Sequence, residues 1–223
     1  MTLYGHVKRQ APNTFKLLLA LAEAKARYDY VTVDLAAGAQ KRPDFLALNP
    51  HGKIPVLVDA RFVLPESDAI LWYIAEKFPA AGLLARVEPG PAAAQARARV
   101  LQWCDFVSSG VYQAYLDLHI HTRPASPDQR VGWIAEAAAH KMDRLISVMD
   151  GVLSRRAYLA DDFSIADLSA AAVLQQVKAR LPRDPSAGRE HLVGWYARVT
   201  ARPSWQSAAL SPGCDGDGRG AAA

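Results

Sequence analysis

The sequence predicts a protein of two unlike halves. An α/β domain spans residues 1–79, a linker 80–91 and an all-α domain 92–210. Three observations carry this. Strand-like and helix-like apolar patterns alternate through the first half in the order β-α-β-α-β-β-α. Pro79, Gly82, Pro89, Gly90 and Pro91 then interrupt regular structure. Beyond them the apolar repeats have a helical period. A tail rich in Gly, Asp and Ala, residues 211–223, is expected to be disordered.

The elements follow in order. Leu3-Tyr4-Gly5-His6 reads as a short strand. Residues 14–26 read as a helix with Phe15, Leu18, Leu19 and Ala22 on one face. Tyr30-Val31-Thr32-Val33 is a strand. Residues 42–48 form a helical turn ended by Asn49-Pro50, because a residue before proline is pushed out of the helical region. Ile54-Pro55-Val56-Leu57-Val58 is β-branched enough for a buried strand. Pro55 has no N–H to give a ladder, so it belongs at a strand start or an edge. Arg61-Phe62-Val63 makes a second short strand. Pro65-Glu66-Ser67-Asp68 then opens a helix whose face carries Ile70, Leu71, Ile74 and Phe78. Ser67 falls in the first helical turn, where unpaired N–H groups attract an anion such as a carboxylate. The same residues also suit plain helix capping by Glu66 and Ser67, and the pattern alone leaves both readings open.

In the second half, Val100, Trp103, Cys104, Val107 and Val111 form one apolar stripe, and Met142, Leu145, Ile146 and Met149 another. Residues 122–127 carry two prolines and separate them. Ser164-Ile165-Ala166-Asp167 has the form of a capping box, with Phe163 and Leu168 at staple positions. Asp167 is therefore assigned to folding rather than catalysis, at about 1 kcal/mol or more for its loss.

Composition narrows the function. The 223 residues are 51% hydrophobic and 22% charged, an ordinary globular balance. A net charge of +4 without a basic run argues against nucleic acid. Mild basicity suits a small anionic ligand. The N-terminus lacks the apolar core of a signal peptide, and no apolar run has the length of a membrane span, so a cytoplasmic protein is expected. Cys104 and Cys214 form neither a disulfide framework nor a zinc pattern, and no metal site is expected.

The run Asn49-Pro50-His51-Gly52-Lys53-Ile54-Pro55-Val56-Leu57-Val58, with Pro65-Glu66-Ser67-Asp68-Ala69-Ile70 soon after, resembles the glutathione-binding half of cytosolic glutathione S-transferases. The resemblance extends to about Leu210 and includes the capping box. It implies a thioredoxin-like N-terminal domain, an all-α C-terminal domain, and glutathione as co-substrate. The stretch Gln40-Lys41-Arg42-Pro43-Asp44-Phe45 is closest to phi-like and related bacterial members. By that match Gln40, Lys41 and Lys53 hold the glycine carboxylate of glutathione. Ile54, before a cis Pro55, pairs with the cysteinyl backbone. Glu66 and Ser67 take the γ-glutamyl end.

One position departs from the pattern. Serine- and cysteine-type members carry the reactive residue five places before a basic residue of the first helix. Counting back from Lys16 gives Ala11, which can neither donate to sulfur nor form a mixed disulfide. Asn13 and Thr14 remain as candidate donors to the thiolate, unless they merely cap the helix. Pro12-Asn13 with Lys16 also resembles the nu-like pattern, whose members act on glutathione-linked disulfides.

The implied reaction is addition of the glutathione thiolate to an electrophilic small molecule, as in detoxification. The alternatives are a nu-like disulfide or peroxide reductase, or a non-catalytic glutathione-binding protein. Tyr4 reads as packing, and His6 as a loop residue. An acceptor pocket is expected from residues 7–13 and the helix carrying Phe106, Tyr112 and Tyr115. A homodimer, with Arg97 and Arg99 in the interface region, is implied by the resemblance alone.

Overall fold

A computed structural model describes residues 1–6, 11–84, 90–122, 128, 130–181 and 184–209. The expected loop at 7–10, the middle of the linker, the break at 123–127 and the tail lie outside the described residues. The chain forms two compact units, one of residues 1–83 together with the segment from Arg202 on, the other of residues 84–201.

The first unit is built on a four-stranded sheet of order β2-β1-β3-β4. Its strands are β1 (Thr2–His6), β2 (Asp29–Val33), β3 (Val56–Asp59) and β4 (Phe62–Pro65). β1 and β2 are parallel, and β3 is antiparallel to both β1 and β4. Alternation along β1 sets the two faces. Leu3 and Gly5 are buried on one side, while Tyr4 turns to the other and meets the Phe45 ring edge to face. The strand expected from Ile54 begins only at Val56, because Pro55 offers no ladder donor.

Helix α1 (Pro12–Glu23) is buried almost all round, from Thr14 to Leu21. It starts two residues before the expected point, since Pro12 at its first position needs no N–H partner. It also stops three residues early. Lys25 adopts the left-handed conformation (φ 49°), with Ala26 N–H donating to the Leu21 carbonyl and Lys25 N–H to that of Ala22, a Schellman closure. Helix α2 (Pro43–Leu48) is one short piece with Phe45 buried, and α3 (Ser67–Lys77) buries Ile70, Leu71, Ile74 and Ala75.

The second unit is helical: α4 (Pro91–Asp105), a π-helical segment at Phe106–Val111, α5 (Tyr112–Thr122), α6 (Gly132–Leu153), α7 (Ile165–Arg180) and α8 (Glu190–Thr200). The expected stripes are its core: Val100, Trp103, Cys104, Val107 and Val111 are buried, as are Met142, Ile146 and Met149. Helix α7 is the central one, with Ile165 to Leu174 buried without interruption. Its capping box is complete: the Ser164 hydroxyl accepts from the Ala166 N–H, and the Asp167 carboxylate accepts from the Ser164 N–H at 3.0 Å. Asp167 also accepts from the Leu159 N–H at 3.1 Å and from the indole N–H of Trp195 at 2.7 Å, which ties α8 to α7.

Helix α9 (Pro203–Ala209) departs from the expected boundary. The sequence assigns it to the helical half, yet it packs in the first unit. Arg202 grips Glu23 with two bonds of 2.6 and 2.9 Å, Ser204 adds a third of 2.6 Å, and Trp205 meets Phe15 edge to face at 5.0 Å. No described helix is long and apolar enough to cross a membrane.

Candidate functional site

The topology gathers the candidate residues at one end of the sheet. The C-terminal ends of β1, β2 and β4 and the N-terminal end of β3 coincide, because Tyr4 pairs with Val56 and Val56 with Pro65. β1 leads from this end to α1, and β2 to a 3-10 turn at Ala39–Lys41. Ile54-Pro55 immediately precedes β3, and Glu66 immediately follows β4. Asn13, Thr14, Gln40, Lys41, Ile54, Glu66 and Ser67 thus belong to segments that meet along a single edge.

Lys41 and Lys53 are brought together by a self-bonded loop. Asn49, only 3% exposed, donates from Nδ2 to the Lys53 carbonyl at 2.7 Å. Its Oδ1 accepts from the His51 N–H at 3.1 Å, and its carbonyl from the Gly52 N–H at 2.8 Å. Gly52 sits at φ +58°, and a Cβ there would lie 2.8 Å from both the Gln40 carbonyl and the Lys41 Nζ. Glycine is required by conformation and by space alike. Lys41 and Lys53 remain exposed, so two ammonium groups flank the loop. The Ile54-Pro55 bond is cis, and Ile54 lies outside the β3 ladder.

Glu66 stands at the entrance of α3 with φ 68° and ψ 114°, a strained backbone for a residue with a Cβ. No side chain caps this helix, so the capping alternative does not describe it. Ser67 opens the helix at 9% exposure. The next residue, Asp68, accepts from the Lys16 ammonium at 2.6 Å, and Lys16 is 1% exposed. The pair holds α1 beside the first turn of α3. Taking a lysine out of water is costly unless it is paired, so this contact fixes the mutual position of the two helix entrances.

Helix α1 also lacks a side-chain cap, its N-cap being Ala11. Thr14 and Phe15 N–H both bond to the Ala11 carbonyl and Pro12 has no N–H, leaving the Asn13 N–H without an intrahelical acceptor. Asn13 is half-buried; Thr14 is 1% exposed. The Thr14 methyl faces β1, where a Cβ on Gly5 would lie 2.7 Å from it. Among the described residues three buried side-chain oxygens lack a hydrogen-bond partner, and two of them, Thr14 Oγ1 and Gln40 Oε1, belong to these segments. Unsatisfied buried polar atoms are uncommon, and a ligand is one explanation for them. The Ala39–Lys41 turn and the two helix entrances combine ammonium groups with open N–H donors, a chemistry that receives carboxylates and stabilises an anion. Among the described residues no group of His, Cys, Asp and Glu could hold a metal.

Reasoning from sequence missed Asn49, Gly52 and the Lys16–Asp68 pair. Asn49-Pro50 and Gly52 carried turn signals that could have marked the loop. Nothing local could have joined residues 52 positions apart.

Both halves of the chain match known proteins. Residues 1–76 match the family model described as glutathione S-transferase, N-terminal domain, and residues 117–203 match glutathione S-transferase, C-terminal domain. Glutathione S-transferase 3 of Zea mays is 36% identical over 92% of this chain and 91% of its own length. The crystal structure of glutathione transferase F7 from Populus trichocarpa superposes with a TM-score of 0.81 at 29% identity, covering 96% of this chain and 99% of that one. A structure of glutathione S-transferase-I bound with lactoylglutathione gives a TM-score of 0.77 at 28% identity, covering 93% and 97%.

Proposed function

This chain belongs to the glutathione S-transferase family and takes glutathione as co-substrate, and from that premise we propose that the sheet-end cluster is its glutathione site. Lys41, Lys53 and Gln40 receive the glycine carboxylate, two as charges and one as an amide. The Ile54 backbone pairs with the cysteinyl residue ahead of Pro55. Ser67, with its N–H and hydroxyl, and Glu66 take the γ-glutamyl end. The observation that carries the reading is the pair of uncapped helix entrances, α1 and α3, clamped by Lys16 and Asp68.

The chemistry turns on sulfur. A free thiol of pKa about 8.5 is only a few per cent ionised near neutrality. The positive end of α1 and a donor aimed at sulfur lower that pKa. We assign the donor to the Asn13 side-chain amide ahead of Thr14, because Asn13 is part-exposed while Thr14 is packed against β1. The thiolate then adds to an electrophilic carbon, forming the S–C bond as the leaving group departs with its electron pair. Ala11, which can neither donate to sulfur nor form a mixed disulfide, favours a second reading in which the chain binds glutathione without turning it over. We place the enzyme in the cytoplasm as a homodimer with Arg97 and Arg99 in the interface region.

Calorimetry and the thiolate's ultraviolet band test these roles. Ser67→Ala should raise the glutathione Kd about tenfold, the scale of one or two lost hydrogen bonds; unchanged affinity removes the site assignment. Asn13→Ala should raise the pKa of the bound thiol, and Thr14→Val should leave it in place. The reverse outcome transfers the role to Thr14.

A further inference from the structure

Three consecutive residues of α1 are each fixed to a different neighbour. Phe15 meets Trp205 of α9 at 5.0 Å, and Lys16 donates to Asp68 of α3 at 2.6 Å. Thr14 is held from the sheet. Its methyl would lie 2.7 Å from a Cβ on Gly5, and the Tyr30 hydroxyl would lie 2.4 Å from that same atom. Only glycine at position 5 leaves the space in which β1, β2 and α1 converge. Tyr30 reaches this point from the neighbouring strand. It pairs with Leu3 in the β1–β2 ladder, two residues behind Gly5 and on the same face of the sheet. Its hydroxyl donates to the His6 carbonyl at 2.7 Å, which ties the C-terminal end of β1 to β2.

We propose that Tyr30 is a positioning residue for the sulfur of bound glutathione. This rests on the reading that the first turn of α1 stabilises the thiolate. In that turn Pro12, Thr14, Phe15 and Lys16 are buried, and Asn13 is the part-exposed residue. A donor is effective on a developing charge when its distance and angle are fixed beforehand. Phe15 and Lys16 fix the turn against α9 and α3. Tyr30 sets its height above β1, through the space at Gly5 and the Thr14 methyl. Loss of the hydroxyl releases the end of β1 and removes an atom that crowds this point, so the turn settles and Asn13 moves relative to the thiol. Tyr30 therefore acts through Thr14 and not on sulfur.

The test follows the ultraviolet thiolate band of bound glutathione against pH in the full-length protein, with Kd taken by calorimetry at acid pH, where the thiol keeps its proton. Tyr30→Phe should raise the pKa of the bound thiol by about one pH unit, a tenfold loss of thiolate on the scale of one charged hydrogen bond. The Kd at acid pH should change little. Gly5→Ala pushes on the same hydroxyl from the other side and should raise the pKa as well. Tyr73→Phe removes a comparable phenol bond elsewhere in the unit, 2.7 Å to Asp59, and should leave the pKa in place. A lowered pKa in the parent that Tyr30→Phe does not move, or a rise that Tyr73→Phe matches, overturns the proposal and spares the site reading. A parent whose bound thiol is not lowered overturns both. An effective Tyr30→Phe beside an ineffective Asn13→Ala keeps Tyr30 as the positioning residue and removes Asn13 as the donor.

Discussion

Replacing Asp167 by Asn should change how stability depends on pH. The carboxylate is fully buried and accepts from Leu159, Ser164 and Trp195. Burial pushes it up from an ordinary 3.8 to about 6, and those donors pull it down without cancelling the effect. The folded protein therefore holds more protons on this group than the unfolded chain between those values. Its stabilising contribution is full below about pH 3.8 and is lost as pH rises through 6. A shift of about two units at 1.36 kcal/mol each makes the change about 3 kcal/mol. The assay is urea unfolding of both proteins from pH 4 to 7, followed by tryptophan fluorescence. The variant has lost part of the cap and starts less stable, but it cannot titrate here. Its deficit against the parent should shrink with rising pH, by up to that amount. A deficit that stays constant, or widens, would show that the donors outweigh burial and would refute the reasoning.

Three further outcomes are expected. Glu66→Gly should raise the thermal midpoint, since the φ 68° backbone costs a side-chain-bearing residue about 1–3 kcal/mol, while calorimetry shows weaker glutathione binding; a lower midpoint sinks the strain argument. Gly52→Ala should cost about 1–2 kcal/mol for the left-handed backbone alone, with a rise in glutathione Kd as Gln40 and Lys41 are displaced by the new methyl. Glu23→Gln should cost about 1.5–3 kcal/mol in urea unfolding, the scale of a charged hydrogen bond. Burial raises the Glu23 carboxyl, but Arg202 and Ser204 outweigh it and hold it below its ordinary 4.5. Its stabilisation is present above pH 4.5 and is lost as pH falls through the lowered value, so the variant should show a flatter acid limb.

Much of the fold was legible because it rests on local signals. The alternation around Leu3, the periodic Ile70 and Ile74, and the Ser164–Asp167 box each state their structure within a few residues. The edges were less legible. Pro12 extended α1 backwards and Lys25 closed it early, since a left-handed lysine leaves no mark in an apolar pattern. Pro55 did restrict its strand, and β3 started one residue beyond it. At the site, Ser67 could be placed in a first turn, but the open entrance of α3 could not be distinguished from a capped one. The Lys16–Asp68 and Glu23–Arg202 pairs were invisible because each joins residues far apart in the chain, and pairing depends on packing that no window of sequence contains.

The return of α9 to the first unit has a consequence for biosynthesis. Glu23 is made early, but its partner Arg202 follows 179 residues later. At about 5–20 residues per second the ribosome needs roughly 10–35 s to bridge that interval. Throughout it the α/β unit is exposed to the cell with a half-buried carboxylate lacking its cation and Phe15 lacking Trp205. Completion of the α/β unit therefore waits on α9, and a chain released before Arg202 leaves that unit unfinished.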